Sequence, residues 1–267
     1  MLALVAALCT SAPQGAHAAR TAAALGPLPA DRYAYTPRDY QRSHQASALL
    51  VRQCMAKRGH PDFPLDPRYP RDPLVMSAVS TEYGPLDLAD ARRWGYGWDP
   101  AKAGAARPQG RRMTDAEFAD VPDCNAEADR RLMRGIDRAD WLYGPTRQIE
   151  VDKAVRSDPR VRAAWDAWSA CVADQGFARY TDPAAAYTDR AWQRGSDGNT
   201  RHTQRERATA TADVLCKRRH RTAEVWHSVR AQKQAADIDR HRDRYTAGLA
   251  ALRTYRANVE DVLSTLG

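Results

Sequence analysis

Apolar and polar positions follow a helical period along most of the chain, and two stretches carry that pattern with the same punctuation. In the first, Thr36 and Pro37 supply an N-cap and a first-turn proline, and Asp39 complements the positive end of the helix dipole. Tyr40, His44, Ser47, Leu50 or Val51, and Cys54 then recur at three- and four-residue steps. This spacing predicts a helix with Cys54 facing inward and Gly59 as its left-handed stop. In the second, Ser157 or Asp158 caps, Pro159 opens, and Val161, Ala164, Trp165, Trp168, Cys171 and Val172 form the stripe before Gly176 ends it. A proline-bearing tail that cannot continue a helix follows each stop, at 60–67 and 177–183, with Phe63 and Tyr180 as the expected anchors.

The same signals place further elements. Thr114 and Glu117 fit a capping box, and Asp120 with Pro122 predicts a break and restart, so that Cys124 lies in the first turns of a helix ending near Arg134. A helix or turn-and-helix is expected over 141–156, starting at Gly144-Pro145. From Thr203 to Leu266 there is no proline and a single glycine, Gly248, which predicts one or two long helices. Ile238, Tyr245, Leu252, Val259 and Leu266 recur there every seven residues, the pattern of a helix lying along a partner. Residues 19–34 are rich in Ala, Gly and Pro and read as a mobile arm. Residues 68–113 read as an insertion with a short helix at Asp87 to Arg93 and an exposed linker over 101–112. The fold expected is an all-α helical bundle. It comprises two cysteine-bearing helical repeats, about 35–135 and 157–267, in one domain, with a long C-terminal helix and an irregular loop insertion in the first half.

Composition adds compartment and cross-links. At 267 residues the chain is long enough to bury a core without metal or staples. A formal charge of +8 favours polyanionic partners. Met1 to Cys9 is an uncharged apolar run that gives way to Ala16-His17-Ala18, so residues 1–18 read as a signal peptide cleaved before Ala19. Leu8 stands where lipidation of Cys9 would want a small residue, and nothing downstream is long enough to span a bilayer. Cys54, Cys124, Cys171 and Cys216 are left, an even number without the close ligand pairs that zinc sites use, so disulfides are expected and no metal. Three pairings are open. The repeat favours Cys54 with Cys124 and Cys171 with Cys216, each helix cysteine meeting the next one downstream.

Candidate chemistry is sparse. The chain has no phosphate-cradling Gly-rich loop with a lysine, no Gly-x-Ser-x-Gly elbow, no His-Glu-x-x-His and no dinucleotide fingerprint, and no cofactor is expected. Tyr83, Trp94, Tyr96 and Trp98, with Glu82 and Asp99 nearby, either form an exposed stacking platform for a sugar or peptide or fold back on the core. His60 is the remaining binding candidate, read mainly as a ring packed beside the glycine stop. His220, Glu224, His227 and His241 share a helical face, but two histidines seven residues apart stand about 10 Å apart along a helix, too far to share one metal. Lys217 to Arg221 is a basic cluster that suits an anionic wall polymer by counterion release, or an ordinary mixed-charge helix surface.

At Cys54-Met55-Ala56-Lys57-Arg58-Gly59-His60, Trp168 to Phe177 and Ala212 to Lys217, together with the long C-terminal helix bearing Trp226, the chain resembles a group of uncharacterised exported actinobacterial helical proteins. The resemblance covers most of the chain after the leader and implies an exported, mainly helical protein, sometimes membrane-tethered; it implies no activity. The resulting expectation is a disulfide-stapled helical protein, secreted or in the cell envelope. It would have a binding or structural role, with a cell-wall polymer or another envelope protein as partner and no nucleic acid. The rival readings are an envelope enzyme with its site around the 83–99 loop and a binder of anionic wall polymers.

Overall fold

The structure, a computed structural model, describes residues 22–64, 83–101, 111–195 and 197–267. Among these the regular elements are all helical. The α-helices are α1 (Pro37–Lys57), α2 (Leu88–Trp94), α3 (Asp115–Leu132), α4 (Arg138–Arg156), α5 (Pro159–Asp174), α6 (Pro183–Tyr187), α7 (Gln204–His220), α8 (Thr222–Arg240) and α9 (Arg242–Leu266). Short 3-10 turns stand at Ala22–Leu25, Pro29–Tyr33 and Arg190–Trp192. No helix among the described residues is long and apolar enough to cross a membrane.

Local chemistry sets the ends of the helices that carry the disulfides. Thr36 and Asp39 form a reciprocal capping box on α1, and Thr114 and Glu117 form another on α3. Asp158, not Ser157, caps α5, its carboxylate accepting the Arg160 N–H. Gly59 and Gly176, at φ +92° and +85°, make the left-handed turns that end α1 and α5. Cys54 joins Cys124 across α1 and α3, and Cys171 joins Cys216 across α5 and α7.

Several expectations change. Helix α3 runs unbroken through Pro122, because a proline there frees only the carbonyl of Phe118, an exposed residue. Helix α4 begins a turn and a half before Gly144, at an Asp137 cap whose carboxylate accepts the Ala139 and Asp140 N–H groups. The buried stripe of α1 starts at Ser43 and Ala46, while Tyr40 is 51% exposed. The C-terminal stretch is three helices: Arg221 turns left-handed at φ +51°, and His241 interrupts again at φ −124°. Ile238 therefore belongs to α8, and the seven-residue stripe on α9 starts at Tyr245. The segment read as an arm is docked over its described part: Ala30 is buried, its N–H donates to Gln234 Oε1 at 3.2 Å, and Tyr33 packs on Tyr245 at 5.0 Å.

Helix α9, about 38 Å long at the usual rise per residue, connects the parts. Near its C-terminus, Val259 and Val262 pack with Ala46 of α1 and Leu132 of α3, and Arg256 holds the Asp39 carboxylate. Towards its N-terminus it lies against α4, where Gly248 lets the helices approach: a Cβ there would stand 3.1 Å from the Asp140 carbonyl. Among the described residues three further cores lie elsewhere, around Val51, Met55 and the Cys54–Cys124 bridge, around Val151, Val155, Val161 and Trp226, and around Trp168, Tyr96, Trp192 and the Cys171–Cys216 bridge.

Candidate functional site

The 94–98 loop is held by its backbone. Tyr96 N–H donates to Glu206 Oε1 at 2.9 Å, and Trp98 N–H donates to Asn199 Oδ1 at 3.0 Å. The Trp98 carbonyl accepts from Asn199 Nδ2, the Tyr96 carbonyl from Arg194, and the Trp94 carbonyl lies 2.7 Å from His202 Nδ1. Glu206 stands three residues after the Thr203 cap of α7, where a capping box would turn its carboxylate back to Thr203. It is instead fully buried and accepts from Tyr96 N–H and from Thr200 Oγ1 at 2.6 Å. The two glycines make room for this clamp, since a Cβ on Gly95 would stand 2.6 Å from Glu206 Oε1 and one on Gly97 2.3 Å from Asn199 Oδ1.

The sequence-named rings accordingly form no stacking platform. Tyr96 is fully buried, stacked on Trp192 at 5.2 Å and edge-on to Tyr187, and Tyr83 is buried among Leu86, Val155 and Trp226. Trp94 and Trp98 are half-buried, Trp94 meeting the His202 ring at 5.5 Å. Asp99 caps the Ala101 N–H, and Glu82 lies outside the described residues. His60 belongs to a different corner, beside the α1–α3 bridge, where its Nε2 meets Asp120 Oδ2 at 2.9 Å and Arg58 meets the other carboxylate oxygen at 2.7 Å. These contacts, His60 first and Arg58 second, hold the Asp120 carboxyl below the usual range. His60 is not brought together with the aromatic loop.

The basic cluster is also divided. Lys217 is 2% exposed, its Nζ 2.8 Å from Asp213 Oδ2 and 3.3 Å from the Pro85 carbonyl. Asp213 is fully buried and accepts the Trp168 indole N–H at 2.8 Å. Burial pushes the Asp213 carboxyl up and the Lys217 ammonium down, against the stabilising contact between them. Arg218 reaches the Leu86 carbonyl. A continuous cationic face over 217–221 is therefore absent. The histidine face is divided too, since His220 ends α7 while Glu224 and His227 are on α8, and no metal-holding cluster occurs among the described residues.

Among the described residues, one concave site with room for a ligand is assembled from three distant segments. Tyr33 and Tyr35 come from the N-terminal segment, Trp141, Gly144 and Pro145 from α4, and Tyr245, Gly248 and Leu252 from α9; they line an open cleft of about 160 Å³. Trp141 packs on Tyr255 at 4.6 Å and meets Tyr35 edge-on at 5.9 Å, which fixes one wall. Tyr245 is fixed by its hydroxyl, which donates to Asp237 Oδ2 at 2.8 Å and accepts from Gln148 at 3.1 Å. Asp237, 1% exposed, is held in turn by Arg147. Burial first, with the Asp237 hydrogen bond adding, pushes the Tyr245 phenol well above its usual range; burial does the same for Tyr35. Both phenols stay neutral at ordinary pH. Gly144 helps to open the space, with nothing within 4 Å of where its Cβ would stand.

In comparisons with family models, curated proteins and solved structures, nothing matches this chain. The function must be read from the site itself. No sequence signal pointed to the pocket as a unit, because its walls, near residues 33, 141 and 245, come from distant parts of the chain. The Gly144-Pro145 pair inside a helix and Gly248 on an otherwise glycine-free stretch are the local traces it leaves.

Proposed function

We propose that this protein is a small-ligand-binding protein of the cell envelope or extracellular space, and that the aromatic pocket between the N-terminal segment, α4 and α9 holds one apolar ring of its ligand. The observation that carries the reading is the pocket itself. Four aromatic side chains and a leucine line an open cleft of about 160 Å³, beside two helical glycines at which any larger residue would narrow the space or the helix contact. A cavity of about 150 Å³ lined by apolar side chains is known to admit benzene, so a cleft of this size has room for one six-membered ring, the rest of a larger ligand extending outside it. Two disulfides are compatible with an oxidising compartment, and the leader-like residues 1–18 and the resemblance to exported helical proteins support that setting.

Ligand-detected NMR and tryptophan fluorescence of the oxidised full chain, with toluene and benzyl alcohol as probes, test the proposal. Binding is expected in the millimolar range or tighter. It should be lost in Gly144→Leu, whose side chain enters open space at the pocket wall; because Gly144 precedes Pro145, circular dichroism of the variant checks that α4 persists. Equal saturation transfer in the two proteins, or none in either, would refute a site at this place.

A further inference from the structure

We infer that the ligand's ring carries an anionic substituent, a carboxylate being the simplest, and that Arg32 receives it. This rests on the pocket being a ligand site and concerns which chemical class it takes. An aromatic enclosure can favour a cation through ring quadrupoles or a neutral or anionic ring through its edges, and the surrounding charges decide between these. Here they favour an anion. Arg147 is matched by Asp237, Arg244 by Asp140 at 3.5 Å, and Arg256 by Asp39 at 2.6 Å. Arg32 stands apart from them: its guanidinium lies 4.9 Å from the centroid of the Tyr33 ring, and it makes no hydrogen bond or ion pair among the described residues. The adjacent Asp31 does not neutralise it by contact, because its carboxylate turns to the Leu28 N–H at 2.7 Å.

Tyr33 is therefore both a wall of the pocket and the platform of an uncommitted guanidinium. Arg32 is exposed and is not itself a wall of the pocket, so a ring bound beside Tyr33 projects its carboxylate to the rim, where the guanidinium is a planar, bidentate donor. A ligand bearing a quaternary ammonium would instead meet Arg32 as a like charge.

The test compares benzoate, benzyl alcohol and benzyltrimethylammonium on the oxidised full chain by the same NMR measurement at low salt. Benzoate should bind roughly fivefold more tightly than benzyl alcohol, the size expected of a partly exposed ion pair, and the advantage should shrink with added salt. Arg32→Gln should remove the benzoate advantage and leave benzyl alcohol unchanged, while Gly144→Leu should abolish both. If benzyl alcohol binds as well as benzoate, or benzyltrimethylammonium binds best, the anionic class is wrong and the ring site stands. If none of the three binds, the pocket reading falls with it.

Discussion

The Asp213–Lys217 pair makes a strong energetic prediction because both partners are buried and neither is replaceable by water. Asp213→Ala removes the carboxylate that faces Lys217 Nζ at 2.8 Å and Trp168 Nε1 at 2.8 Å, leaving an ammonium 2% exposed with only the Pro85 carbonyl and an indole N–H without an acceptor. Breaking a buried pair in this way costs about 3–5 kcal/mol, and the orphaned indole adds about 1 kcal/mol. Lys217→Met is milder, about 2 kcal/mol, because Asp213 keeps the Trp168 bond and can take up a proton. Its penalty should also depend on pH. Asp213's folded-state pKa is raised by burial, so in Lys217→Met the protonated carboxyl contributes fully below the unfolded value of 3.8 and that contribution is lost as pH rises through the raised one. Urea unfolding of the oxidised protein, with midpoints and slopes compared for the wild type, both single variants and Asp213→Ala/Lys217→Met, reads all of this. The double variant should be about 3 kcal/mol more stable than the sum of the singles predicts. Additive singles, or a Lys217→Met penalty that does not grow from pH 4 to pH 7, would show that the pair is solvated.

Three further outcomes follow from the structure. Gly97→Ala should cost about 3 kcal/mol, because its Cβ would meet Asn199, Thr200 and His202 at 2.3–2.5 Å, whereas Gly59→Ala, with φ +92° and open space, should cost only about 1 kcal/mol of left-handed strain. Equal midpoints for the two would contradict the clamp. Burial alone would raise Asp39, but the Arg256 and Thr36 hydrogen bonds outweigh it and bring it to about 2. Its contribution is present above the unfolded value and lost as pH falls from about 4 through about 2, so Arg256→Gln should flatten that acid limb and move the Asp39 carboxyl titration, followed by carbon NMR, back up. Replacing Cys54 and Cys124 together by Ala should cost about 4 kcal/mol, and Cys171 with Cys216 nearly the same, because loops of 70 and 45 residues differ little in closure entropy. A difference above about 2 kcal/mol in urea midpoints converted to free energy would mean that folded-state packing outweighs chain entropy.

Local signals were legible and long-range ones were not. Thr36, Thr114, Gly59 and Gly176 mark helix ends by side-chain and backbone chemistry contained within a few residues, and the structure uses all four. The breaks at Arg221 and His241 carry neither glycine nor proline, so nothing in the local chemistry of 203–266 announces three helices. Lys217 reads as one more cation in a basic run, yet Asp213 four residues earlier, set among Ala212, Val214 and Cys216, is the trace of an inward-facing pair. Tyr96 shows the limit from the other side: the alternation of glycine and aromatic residues left open an exposed platform or rings folded back on the core, Tyr96 takes the second, and the glycines let Glu206 and Asn199 reach the backbone. The pocket joins residues 33, 141 and 245, a proximity that depends on how α4 and α9 pack and that no periodicity encodes.

The two disulfides close loops that follow one another along the chain without overlapping, 54–124 and 171–216. A single proteolytic cut anywhere between residues 55 and 123, or between 172 and 215, therefore leaves two fragments still covalently joined. A cut between 125 and 170 separates the halves once the fold is lost. On an oxidising gel the first kind of nick is silent and appears only after reduction, whereas the second appears without it. Most of the chain from α1 to the end of α7 can thus be nicked once without shedding a piece, whereas the stretch bearing α4, like the part of α1 before Cys54, must rely on its packing alone.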